Sequence, residues 1–172
     1  GSLAQAIIDS EELDIEIVAL ISDNPDAQAL TRAKEANIQT FVIPMKNSRE
    51  EWNQGIIQTV VSLSADLVVS AGFMRILAPE FVSTFKVINS HPALLPNFPG
   101  AHAVRDALAA KAAVTGATIH WVDAGIDTGK VIAQREVPVL EGDTEALLHE
   151  RIKIVERGLI VATIPQILAG LK

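Results

Sequence analysis

Lys86-Val87-Ile88-Asn89-Ser90-His91-Pro92 is an apolar run that ends in polar side chains and a proline. It reads as a buried strand, and in an extended segment Asn89 and His91, two residues apart, point to the same face. Upstream, Leu3 to Asp9 reads as a helix, Ile15 to Ile21 as a buried strand closed by Ser22-Asp23-Asn24-Pro25, and Ala27 to Ala36 as a helix leading to a strand at Thr40 to Ile43. Ser48-Arg49-Glu50-Glu51 has capping-box spacing and opens a helix to about Leu63. A strand at Leu67 to Val69, the turn Ala71-Gly72-Phe73 and a short helix after Pro79 complete the approach to Asn89. Downstream come a helix over Ala103 to Ala112, two β-rich segments at Ala117 to Val122 and Val131 to Val137, and a long helix from Asp143-Thr144 past Arg157. Pro165 is expected to kink or break that helix. Alternating strand and helix predicts an α/β fold, a doubly wound and mostly parallel sheet, and the closing pair predicts an antiparallel edge. With no repeat and no composition break, residues 1–172 read as a single domain.

Composition narrows the function. Fourteen Lys and Arg against 21 Asp and Glu give a formal charge of −7, which argues against nucleic acid as the main partner. Small anions stay open, because local cations and helix N-termini can hold them against the global field. No apolar run approaches the roughly 20 residues of a membrane span, so no membrane partner is expected. The chain has no Cys, which removes disulfides, thiolate metal sites and a Cys nucleophile and fits a cytoplasmic setting. Its four His show no ligand spacing, so no metal is expected.

The chemistry-bearing motifs are Asn89-Ser90-His91-Pro92 and Asp123-Ala124-Gly125-Ile126-Asp127-Thr128-Gly129. An amide donor beside an imidazole, with a carboxylate delivered by a flexible loop, suits acyl transfer to an amine. The amide can bind a developing oxyanion, and the imidazole can share that charge and move a proton. Asp123, at a strand end, reads as an ordinary turn carboxylate. His120, mid-strand in Thr118-Ile119-His120-Trp121, reads as a buried, hydrogen-bonded partner of the site. His102 and His149 have no motif support. Lys153 and Glu156, about one helical turn apart, could form a surface ion pair.

Three ordered motifs, Ala71-Gly72-Phe73-Met74-Arg75-Ile76-Leu77, Asn89-x-His91-Pro92-x-Leu94-Leu95-Pro96-x-x-Pro99-Gly100 and Asp123-x-Gly125-x-Asp127-x-Gly129, resemble the phosphoribosylglycinamide formyltransferases. The resemblance runs from Gly1 to about Ile164. It implies that Asn89, His91 and Asp127 are the catalytic set for attack of a substrate amine on the formyl carbon of 10-formyltetrahydrofolate, the co-substrate. Asn89 and His91 would stabilise the tetrahedral intermediate, His91 serving as the acid, and an adjacent Asp127 favours the protonated ring. The amine's proton could leave through Asp127 or an ordered water. The folate pocket carries over onto Met74, Arg75, Ile76 and Leu77, onto Gly125, Ile126 and Asp127, and onto Asn89, with Arg49 reaching the folate tail. The ribonucleotide phosphate would sit on the backbone amides of Gly1, Ser2 and Leu3, with Glu156 on the ribose hydroxyls. Leu3 departs from the Asn common in the family, which leaves only backbone contacts there.

The resemblance also implies that Gly1-Ser2 belongs to a phosphate-binding strand-to-helix turn, preceded by a first strand of about ten residues. Oligomeric state and polyglutamate preference stay open. Two related activities compete. A formyltransferase acting on another amine, such as the methionyl-tRNA enzyme, is disfavoured by the acidic charge. A formyltetrahydrofolate hydrolase would use the same three residues with water as acceptor, and the phosphate-type turn at Gly1 to Leu3 disfavours it. A noncatalytic folate- or nucleotide-binding module is disfavoured by the intact Asn89, His91 and Asp127.

Overall fold

The computed structural model describes all of residues 1–172. Six helices and six strands follow in the order α1 (Ser2–Ile8), β1 (Leu20–Ser22), α2 (Gln28–Glu35), β2 (Thr40–Val42), α3 (Arg49–Leu63), β3 (Val68–Ser70), α4 (Pro79–Thr84), β4 (Val87–His91), α5 (Ala103–Ala109), β5 (Val114–Trp121), β6 (Val131–Pro138) and α6 (Glu145–Gly170). β1 and β2 pair in parallel, as do β3 and β4, while β5 and β6 add an antiparallel edge in the order β3-β4-β5-β6. Parallel α/β units with an antiparallel edge are the predicted class.

Helices cover both faces. Ile7 of α1, Val104 of α5 and a stripe of α6 that includes Leu148, Ile152, Ile160 and Ile164 pack on Ile88, Ala117, Ile119 and Val137 of the sheet. On the other face Trp52, Ile56 and Val60 of α3 meet Leu77, Phe81 of α4 and Val87. Val87 and Ile88 thus feed opposite cores, as strand alternation requires, and each fully buried Ile or Val contributes roughly 1.5–3 kcal/mol of transfer free energy.

Local signals start the helices where expected. Ser48 accepts a hydrogen bond from Glu51 N at 3.1 Å, and Thr144 accepts one from Leu147 N at 3.2 Å. Two expectations need correction. The strand predicted over Ile15 to Ile21 pairs only from Leu20 to Ser22, because its one ladder partner, β2, spans only Thr40–Val42. Ile15 and Ile17 still pack on the core. Pro165 does not end α6, which continues to Gly170. Ile160, Ile164 and Ile167 bury apolar surface on both sides of the proline and hold the helix together across the missing N–H.

Ahead of α6, Asp143 Oδ1 and Oδ2 accept from Arg151 Nη2 and Nη1 at 2.8 and 2.7 Å. The guanidinium, followed by the Leu140 backbone N–H, pulls the Asp143 carboxyl down to about 2. A depressed carboxyl contributes stability above its unfolded value of 3.8 that is lost as the pH falls toward about 2. Asp143→Asn should therefore lower Tm at neutral pH, and the gap from the parent should close across that acid window. A gap independent of pH in thermal melts would remove the ion pair as its cause.

Candidate active site

The site lies at the C-terminal end of β4, where the sheet's polar strand ends meet two loops. Asn89 stands directly opposite His120 in the β4–β5 ladder, and its Nδ2 donates to His120 Nε2 at 3.3 Å. His120 Nδ1 contacts the carbonyl of Trp121 at 2.9 Å, and a carbonyl only accepts, so Nδ1 carries the proton and Nε2 is left to accept from the amide. This neutral ring, 2% exposed, aims Asn89 and leaves its second amide hydrogen for another acceptor. His120 is thus buried and hydrogen-bonded to Asn89.

His91 is 4% exposed. Its Nε2 donates to Phe98 O at 2.8 Å, while Nδ1 lies 3.4 Å from Asp127 Oδ2. Acceptors flank both ring nitrogens, so the doubly protonated ring is the form that donates to each. Asp127 Oδ2 also accepts from Gly100 N at 2.8 Å, and its Oδ1 lies 3.6 Å from His120 Nε2. One carboxylate thereby ties the Pro99-Gly100 turn to the His91 side of the site.

The loop that delivers Asp127 is built by its own residues. Asp123 Oδ1 accepts from Gly125 N at 3.0 Å and from Thr128 Oγ1 at 2.6 Å, and these bonds, that of Thr128 foremost, lower the Asp123 carboxyl below its ordinary value. Asp123 is a turn carboxylate, as expected. A Cβ at Gly129 would stand 1.6 Å from Trp121 O, so only glycine lets the loop close back on β5. Asp127 sits at φ 54°, a left-handed conformation that Asp and Asn adopt more readily than most residues. Across the site, buried Thr118 Oγ1 donates to Ala93 O at 2.7 Å and accepts from Leu95 N and from Gln134 Nε2, fixing the loop that leaves His91.

The residues assigned to folate from the sequence are held in different ways. Arg49, stacked 5.2 Å over Trp52, donates through Nη2 to Ile76 O, so two residues 27 apart in sequence meet. Met74, Ile76 and Ile126 are 77%, 57% and 56% exposed, an unusual display of apolar side chains. Ile126 and Asp127 line a cleft of about 360 Å³ with Leu95, Pro96, Pro99, Thr128, Gly129 and Val131. Leu77 is buried against the α3 core, which leaves a ligand only its backbone. The Arg75 guanidinium pairs with Asp23, joining the loops after β1 and β3.

Gly1 is the N-cap of α1, followed by Ser2 and Leu3 in its first turn; α1 packs on α6, and Arg32 Nη1 lies beside Gly1. Glu156 falls on α6 between Ile152 and Ile160, on the stripe that faces the sheet. Burial pushes its carboxyl above the ordinary value, opposed by a hydrogen bond from Ser90 and by His149, His91 and Lys153. Lys153 pairs with Glu150 at 3.7 Å rather than with Glu156. Phe98 and Gly100, which hold His91 and Asp127, carry no chemical signature of their own; the Pro99-Gly100 turn in the motif was their one signal.

An amide, an imidazole and a carboxylate thus meet at one end of a two-faced α/β sheet, an arrangement that can support acyl-group transfer. The chain belongs to the formyl transferase family, whose pattern it matches over residues 1–164. Among its relatives, a phosphoribosylglycinamide formyltransferase of Mycobacterium tuberculosis is 47% identical over 169 residues, covering 95% of this chain and 79% of that protein. The human trifunctional purine biosynthetic protein adenosine-3 is 39% identical over 177 residues, covering 99% of this chain and 18% of its own length. The solved phosphoribosylglycinamide formyltransferase of Bacillus halodurans superposes with a TM-score of 0.93 at 37% identity, covering 100% of this chain and 92% of that one. That of Coxiella burnetii gives 0.93 at 35%, covering 99% and 83%. No helix of the structure is long and apolar enough to cross a membrane.

Proposed function

We propose that this chain transfers the formyl group of 10-formyltetrahydrofolate to the amine of 5-phosphoribosylglycinamide, residues 1–172 working as one formyl transferase domain of cytoplasmic purine biosynthesis. The observation that carries the reading is the meeting of Asn89, His91 and Asp127 beside the cleft at Ile126, in a chain of this family. The exposed apolar rim of Met74, Ile76 and Ile126 suits the flat face of a pterin, and Arg49 suits an anionic folate tail. Gly1, Ser2 and Leu3 offer backbone amides to a phosphate, with Arg32 supplying a nearby cation. Glu156 offers a carboxylate to the ribose hydroxyls.

In the reaction a bond forms between the substrate nitrogen and the formyl carbon, and the bond from that carbon to N10 of the folate breaks. Negative charge develops on the formyl oxygen, where the free amide hydrogen of Asn89 donates and the His91 Nε2–H joins it by exchanging Phe98 O for the substrate oxygen. The amine must lose a proton and N10 must gain one. Asp127, opposite Nδ1, orients the His91 ring.

Two measurements test the reading. Consumption of 10-formyltetrahydrofolate should require the glycinamide nucleotide; equal turnover without it would establish a hydrolase instead. Glu156→Ala should raise KM for the nucleotide by about tenfold or more, since hydrogen bonds to a charged group are lost, with KM for the folate little changed.

A further inference from the structure

Ser90 sits between the two catalytic candidates of β4, yet it faces the other way. Strand alternation places it with Ile88, on the side of the sheet packed by α6, while Asn89 and His91 share the side of Val87. From that position Ser90 Oγ donates to Glu156 Oε1 at 2.7 Å. The pair interrupts two apolar rows at once: Glu156 replaces a hydrophobe in the Ile152–Ile160 stripe, and Ser90 replaces one above Ile88. A polar pair at such a position adds little to stability over an apolar one, so its presence calls for a use. Ser90 supplies the protein's hydrogen bond to this carboxylate, and Oε2 accepts none.

We infer that Ser90 is a positioning residue for the acceptor substrate: it fixes one oxygen of Glu156 and turns the other toward the neighbouring hydroxyls of a sugar diol. The inference rests on the reading of Glu156 as the ribose contact. A carboxylate held by one short bond accepts two hydroxyl donors without first losing rotamer freedom, and this preorganisation appears as affinity. Ser90 also couples the two halves of the site, because the strand that carries Asn89 and His91 at the formyl centre then holds the ribose contact in register with them. A residue acting through Glu156 alters binding of the nucleotide and leaves the folate and the chemical step alone.

Steady-state kinetics of the full chain test this with Ser90→Ala, Ser90→Thr, Ser90→Val, Glu156→Ala and the Ser90→Ala/Glu156→Ala double variant. Ser90→Ala should raise KM for 5-phosphoribosylglycinamide by about tenfold, the scale of one hydrogen bond to a charged group, with kcat and the folate KM within about twofold of the parent. Ser90→Thr keeps the hydroxyl on a β-compatible side chain and should restore KM, whereas Ser90→Val should behave as Ser90→Ala. In the double variant the loss of Ser90 should add nothing to the loss of Glu156. If Glu156→Ala raises the nucleotide KM while Ser90→Ala leaves it within twofold, or if Val and Thr behave alike, the positioning role is overturned and the ribose reading survives. If Glu156→Ala leaves the nucleotide KM unchanged, the ribose reading falls and the positioning role falls with it.

Discussion

Asn89→Ala should lower kcat by about 10²–10³-fold, the usual effect of removing one donor from an oxyanion site, with much smaller changes in either KM. The amide is aimed before substrate arrives: its carrier strand is paired on both sides, and one of its two hydrogens is already bound to His120 at 3.3 Å. A donor fixed in this way stabilises charge that exists only at the transition state, so its loss falls on kcat and kcat/KM together. Should kcat hold while only KM rises, Asn89 would be a binding residue. The same result with an unchanged response to the nucleotide would move the oxyanion contact elsewhere on the strand end.

Asp127→Asn should reduce kcat by about 10²–10⁴-fold, the range of a positioned acid–base group. The substitution is informative because it changes so little else. Asn tolerates the left-handed backbone at φ 54°, and its carbonyl oxygen can still accept from Gly100 N. What disappears is the charge facing His91 Nδ1 at 3.4 Å. Asp127→Ala removes the Gly100 bond as well and loosens the loop. Equal losses in the two variants would assign the effect to charge, and a full loss in Ala with parental activity in Asn would assign it to loop geometry alone. Single-turnover rates with both substrates saturating make the comparison free of product release.

Much of this site is written locally. Asn89 and His91 are two apart on one strand, so a periodicity of two places them together whatever the rest of the chain does. Ser48 and Thr144 announce their helices, and the Asp-Gly pattern from Asp123 to Gly129 announces a loop in which Gly129 proves to be demanded by the close approach of the Trp121 carbonyl and Gly125 sits against the Thr128 side chain. The resemblance of three motifs supplied the roles. Alternation also carried a signal for Ser90, whose parity with Ile88 places it on the α6 side, but a lone serine offers no reason to look there.

Contacts between segments distant in sequence were decided by the tertiary structure. Arg75 stands in a motif associated with folate, yet its guanidinium is taken by Asp23, 52 residues away. Arg49 finds Ile76 O across 27 residues, Ser90 finds Glu156 across 66, and the hydrogen bonds of His91 and Asp127 run to the Phe98 carbonyl and Gly100 amide, backbone groups that any residue type provides. The length of β1 and the passage of α6 through Pro165 belong here too. The first depends on which strand edges meet, the second on apolar burial either side of one missing N–H. Local sequence determines what a residue can do and which face of its own element it occupies. Its partner is determined by how those elements pack, a sum over the whole core that no single stretch contains.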